Sequence, residues 1–101
     1  MKIQIIRSGG YAGITTTFFV DDKHATPTEI ALLKELLTES NFLDLPSNDT
    51  KNYGADYYIY DITVEINGLR QTVKTTDITI SPSLREMVKQ VMDIHDRYSL
   101  L

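Results

Sequence analysis

Ile62-Thr63-Val64-Glu65-Ile66-Asn67-Gly68-Leu69-Arg70-Gln71-Thr72-Val73-Lys74 decides the fold of this chain. Ile62, Val64 and Ile66 alternate with polar residues up to Asn67-Gly68, and Leu69 and Val73 lie beyond. Asn-Gly accepts positive φ at both central positions, so the run predicts a hairpin closed by a two-residue type I′ turn. Such a turn fixes the register: Ile66 faces Leu69, Glu65 faces Arg70, Thr63 faces Thr72 and Asp61 faces Lys74. Each outward charge thereby meets its opposite, a contribution of about 0.2–1 kcal/mol per exposed pair. The apolar residues share the other face and require a cover.

Working outward, the remaining elements supply that cover and complete the sheet. Ile3 and Ile5 alternate with Lys2 and Gln4, while Ile14, Thr16, Phe18 and Val20 alternate with Thr15, Thr17 and Phe19. Both runs are β-branched and aromatic with period two and read as strands. Thr26-Pro27-Thr28-Glu29 is a helix start: Thr26 caps, Pro27 suits the first helical position and Glu29 completes a capping box. Ile30, Leu33 and Leu37, widened by Leu32 and Leu36, form the stripe of that helix, which should end near Ser40 or Asn41. Phe42, Leu43 and Leu45 return the chain to the core before Pro46. A second helix begins around Ser81-Pro82-Ser83, capped by Ser81 or by Ser83 with Glu86, and carries the stripe Leu84, Met87, Val88, Val91, Ile94, Tyr98. The order is ββαββα. The fold class expected is α+β, a two-layer sandwich with an antiparallel four-stranded sheet and two helices packed on one face, formed as a single domain over residues 1–101.

Composition bounds the function. A chain of 101 residues with 42% hydrophobic and 24% charged residues is large enough for one core. It has no cysteine, so no disulfide or thiolate metal site supports it, which fits a reducing compartment. A net charge of -4 argues against nucleic acid as a partner. No apolar run approaches the roughly 20 residues of a membrane span. Met1-Lys2-Ile3-Gln4-Ile5-Ile6 alternates where a signal peptide would be continuously apolar, so a cytoplasmic location is expected, with export by a non-classical route left open.

The sequence advertises no catalytic constellation. His24 and His95 belong to no metal-ligand spacing, and His95, near a helix end, has a bland role as a cation facing the dipole. Asp21-Asp22 reads as a solvated strand end, since a hard-cation site needs six or more oxygens. Arg7-Ser8-Gly9-Gly10-Tyr11-Ala12-Gly13 holds three of the five glycines, yet it joins two strands and lacks the Gly-Lys-Ser/Thr ending of a phosphate loop. More glycine than a tight hairpin needs leaves two readings, an irregular turn or a recognition loop. Tyr53, Tyr57, Tyr58 and Tyr60 crowd the approach to the third strand. By alternation Tyr58 and Tyr60 join the core face and Tyr57 points to solvent. Tyrosine suits recognition surfaces and sheet packing alike.

Met1-Lys2-Ile3 followed by Arg7-Ser8-Gly9-Gly10-Tyr11-Ala12-Gly13 resembles the emfourin family of small protein inhibitors of metallopeptidases. Phe42-Leu43-Asp44-Leu45-Pro46 and the run from Asp56 to Val64 are similar to the family's middle section. The Ser47 to Tyr53 connection and the tyrosine-rich strand entry depart from the pattern. The resemblance implies inhibition of a thermolysin-like, protealysin-like zinc peptidase by a binder that is not an enzyme and carries no cofactor or metal. It is expected to be a monomer when free, with no nucleic acid and no membrane among its partners. We place the partner contact at Ser8, Gly9, Gly10, Tyr11, Ala12 and Gly13, with Tyr53, Asp56 and Tyr57 as a second patch. Two other classes remain to be separated: a regulatory protein–protein interaction module with a non-peptidase target, and a small enzyme or ligand carrier.

Overall fold

The computed structural model describes residues 1–10, 13–48 and 57–99. The elements run β1 (Lys2–Gly9), β2 (Thr16–Asp21), α1 (Pro27–Glu39), a 3-10 turn (Phe42–Asp44), β3 (Tyr58–Ile66), β4 (Leu69–Thr76) and α2 (Pro82–Ser99). The four strands form one antiparallel sheet in the order β2-β1-β3-β4. This is the α+β, ββαββα architecture expected from the sequence.

The strand order follows from which strands can be buried. Ile3 pairs with Val20 on one side and Val64 on the other, and Ile5 pairs with Phe18 and Ile62. Placing β1 and β3 in the middle gives two apolar rows, in which Ile3, Ile5, Val20, Ile62 and Val64 are each 0% exposed. The hairpin adopts the predicted register throughout, from Ile66 opposite Leu69 to Asp61 opposite Lys74. Asn67 and Gly68 take φ of 52° and 78°, as a type I′ turn demands. On the outer face Glu65 and Arg70 stand 3.8 Å apart, Asp61 and Lys74 3.7 Å, and the hydroxyls of Thr63 and Thr72 2.9 Å.

Both helices pack on the apolar face. Thr26 Oγ1 accepts from the Glu29 N–H at 3.1 Å and Glu29 Oε1 accepts from the Thr26 N–H at 2.8 Å, the predicted capping box. Leu33, Leu36 and Leu37 are buried, whereas Ile30 is only partly covered and Leu32 is exposed, so the α1 stripe is narrower than the sequence suggested. The chain leaves α1 through Asn41, whose φ of 52° turns it into the 3-10 segment that buries Phe42. Ser81 is the cap of α2: its Oγ accepts from the Leu84 N–H at 3.3 Å. Leu84, Met87, Val88, Val91 and Ile94 are all buried as expected.

Three readings are corrected. Ile14 belongs to no strand, because β2 begins at Thr16, and its side chain is 64% exposed. Tyr58 lies on the same face as Ile62 but outside the core cluster that Tyr60 packs against, and so is exposed where Tyr60 is half-buried. His95 does more than stand at a helix end, because it meets the edge strand β2. The Phe19 N–H on the edge strand β2 donates to its Nδ1 at 3.2 Å, and the Tyr98 hydroxyl donates to the Phe19 carbonyl. The C-terminal turns of α2 thus bind the outward backbone groups of an edge strand that would otherwise offer a template for pairing.

Candidate partner-binding site

The ends of β1 and β4 and the starts of β2 and β3 meet at one end of the sheet, where the glycine segment lies. Each described glycine of that segment has positive φ: Gly9 at 85°, Gly10 at 72° and Gly13 at 65°. L-residues with side chains rarely adopt these angles, which accounts for the glycine surplus in backbone terms. Close approach adds a second reason at two positions. A Cβ on Gly9 would stand 2.8 Å from the Tyr57 carbonyl oxygen, and one on Gly10 would stand 2.5 Å from the Tyr58 ring. At Gly13 nothing lies within 4 Å.

Two of the predicted patches therefore adjoin. Gly9 pairs with Tyr58 across β1 and β3, and the Gly10 N–H donates to the Tyr57 carbonyl at 2.9 Å. Of the proposed contact residues, Ser8, Gly9, Gly10, Gly13 and Tyr57 are brought to this end. Tyr11, Ala12, Tyr53 and Asp56 lie outside the described residues. Tyr58 is held from the β4 side. Its N–H donates to Asp77 Oδ1 at 3.2 Å, and its carbonyl accepts from the Asp77 N–H at 3.1 Å. Asp77 in turn belongs to a turn fixed by Thr76 Oγ1, which accepts from the Ile78 and Thr79 N–H groups.

Sequence reasoning missed four members of this surface. Arg7 lies over the rings of Phe18 and Tyr58, its guanidinium carbon 5.3 and 4.9 Å from their centroids. Tyr58, Ile14 and Ile78 are 37%, 64% and 53% exposed. Ile14 precedes β2, Tyr58 opens β3 and Ile78 follows β4. One signal was available for Arg7: it is in phase with Ile3 and Ile5, an odd place for a charge. Ile14 and Ile78 gave none, because each continues an alternating apolar pattern.

Among the described residues no group of three or more His, Cys, Asp or Glu stands where a metal could be held. Burial, then the charge of Asp77, raise the pKa of the Tyr60 hydroxyl above its ordinary value. No helix among the described residues is long and apolar enough to cross a membrane. At the opposite end, roughly 26 Å away along β3, an open groove of about 460 Å³ runs between α1 and the hairpin, lined by Phe42, Leu43 and Leu69 among others.

The chain is a small α+β module with exposed apolar side chains near a loop built of positive-φ glycines. The emfourin family model matches residues 5–92, and the chain belongs to the emfourin family. That is a family of metallopeptidase inhibitors. Neither a curated protein nor a solved structure matches the chain.

Proposed function

We propose that this protein inhibits thermolysin-like, protealysin-like zinc metallopeptidases by seating its glycine-loop end in the enzyme's active-site cleft. The observation that carries the reading is the packing of Gly9 and Gly10 against Tyr57 and Tyr58, which leaves no room for a side chain on either glycine. A backbone ordered in this way before binding loses less entropy on association, the general route to tight inhibition by small proteins. The contacts are Ser8, Gly9, Gly10, Tyr11, Ala12 and Gly13, flanked by Tyr53, Asp56 and Tyr57, with Ile14, Tyr58 and Ile78 as the apolar rim. The protein contributes no catalytic group and no metal. It acts in the cytoplasm and is a monomer when free.

Titration of thermolysin with the protein tests this reading. Tyr11→Ala and Tyr58→Ala should each raise the inhibition constant at least about tenfold, since loss of one aromatic anchor removes 1.4 kcal/mol or more. Absence of inhibition at micromolar protein would overturn the proposal. It would favour the regulatory-module reading, which draws its support from the groove beside exposed Leu43 and Leu69.

A further inference from the structure

Three of the chain's four arginines have an oxygen partner. Arg97 meets Glu29 at 2.6 Å, Arg70 meets Glu65 at 3.8 Å, and Arg85 donates to the Asp77 carbonyl at 2.8 Å. Arg7 has none among the described residues: its contacts are the two aromatic rings. Asp77, an acid at the same end, accepts from the Tyr58 N–H and makes no ion pair with Arg7. A guanidinium presents five N–H donors in a fixed planar fork. Aromatic rings attract its charge but accept none of those donors in the strong, charge-assisted manner of an oxyanion.

The position makes that unmet capacity useful. Arg7 pairs with Thr16 and Tyr60 across its two neighbouring strands, one step past the covered Ile5 row, and is partly exposed. It sits beside Gly9 and shares Tyr58 with Gly10, so a molecule seated on the glycine loop meets the fork. Stacking on two rings also restricts the side chain before any partner arrives, lowering the entropic cost of using it. Arginine and tyrosine are the residue types most often found as dominant anchors of protein interfaces.

We propose that Arg7 is the charged anchor of this surface and binds a carboxylate that the target peptidase presents beside the seat of the glycine loop. The inference rests on the inhibitor reading and deepens it by naming the partner chemistry. A carboxylate matches the fork bidentately, which an ammonium in its place could not reproduce.

The test compares parent, Arg7→Met and Arg7→Lys as thermolysin inhibitors at about 20 and about 500 mM salt, a range over which screening of charge pairs becomes severe. The parent should weaken with salt. Arg7→Met should inhibit at least tenfold less well at low salt and lose most of the salt dependence. Arg7→Lys should keep the salt dependence while still losing affinity. If Arg7→Met inhibits as the parent does, or weakens with an unchanged salt dependence, Arg7 only props the rings and the inference fails. Should Arg7→Met not fold, as judged by circular dichroism, Arg7→Lys decides: inhibition equal to the parent's excludes the fork. A parent that inhibits no peptidase removes the inhibitor reading and this inference together. A parent that inhibits while the variants behave alike removes this one alone.

Discussion

Alanine at positions 9, 10 and 13 gives a graded prediction, because three glycines with similar φ have different surroundings. Each substitution forces an L-residue into the left-handed region, at a cost of about 1 kcal/mol or somewhat more. At Gly13 nothing lies within 4 Å of the new methyl group, so that cost of about 1 kcal/mol should be the whole effect. At Gly10 the methyl would lie 2.5 Å from the Tyr58 ring, which can swing aside only by giving up its place near Arg7. An exposed cation–π contact contributes about 0.5–1 kcal/mol, bringing Gly10→Ala to about 2 kcal/mol. At Gly9 the obstacle is the Tyr57 carbonyl, 2.8 Å away and part of the backbone. Relief there opens the end of the β1–β3 ladder and strains the Gly10 N–H bond to the same oxygen, for a total of about 2–3 kcal/mol. Urea denaturation of the three variants should therefore rank them 9, 10, 13 in decreasing loss of stability. In a Tyr58→Ala background the cost at position 10 should fall to that at position 13. Equal costs at all three positions, or a cost at position 10 indifferent to Tyr58, would refute the view that close packing, beyond φ alone, demands these glycines.

Two further predictions concern the helical frame, toward the other end of the sheet, where β2 leads into α1. The Arg97 guanidinium, with help from the Thr26 N–H, lowers the Glu29 carboxyl from 4.5 to about 2. A carboxylate whose folded pKa is depressed stabilises the fold above its unfolded pKa and loses that contribution as pH falls toward the folded value. Glu29→Gln should thus lower stability at pH 7 by about 1 kcal/mol, allowing for solvent screening of a surface pair, with parent and variant converging between pH 4.5 and 2; parallel melting profiles over that window would contradict the assignment. Tyr98→Phe removes the donor to the Phe19 carbonyl, should cost about 1 kcal/mol, and should speed hydrogen exchange at the Phe19 amide beside it. Unchanged exchange there would show that α2 does not guard the β2 edge.

Much of the fold was legible because local chemistry and global packing agree. Asn67-Gly68 set the turn, alternation set the face, and Glu65–Arg70 and Asp61–Lys74 confirmed the register. Thr26 and Glu29 marked the start of α1 to the residue. Where the sequence misled, the missing quantity was the extent of the core. Alternation tells which face a strand residue occupies, but Tyr58 and Tyr60 share a face and only Tyr60 is half-buried, because Tyr60 packs against the core cluster and Tyr58, the first residue of β3, lies outside it. The same limit misplaced Ile14. A period-two pattern continues past the last paired residue, and nothing in Ile14-Thr15 marks the point where β2 leaves β1.

The candidate site was legible in one component and hidden in another for a related reason. Glycine announces itself, since positive φ leaves few other residues suitable, so Gly9, Gly10 and Gly13 could be singled out without a structure. Arg7 could not be valued in that way, because its meaning lies in partners distant in sequence: Phe18 eleven residues on and Tyr58 across the β1–β3 pairing. Its phase with Ile3 and Ile5 places it on the helix side of the sheet, where a charge is costly unless paired or left at the rim. The rim, two aromatic faces and no ion pair to a carboxylate among the described residues together turn an awkward pattern residue into an available cation. A surface whose backbone is fixed by glycine packing, and whose Arg7 guanidinium meets rings and no acid among the described residues, fits the proposed partner, one that supplies both a cleft and an acid.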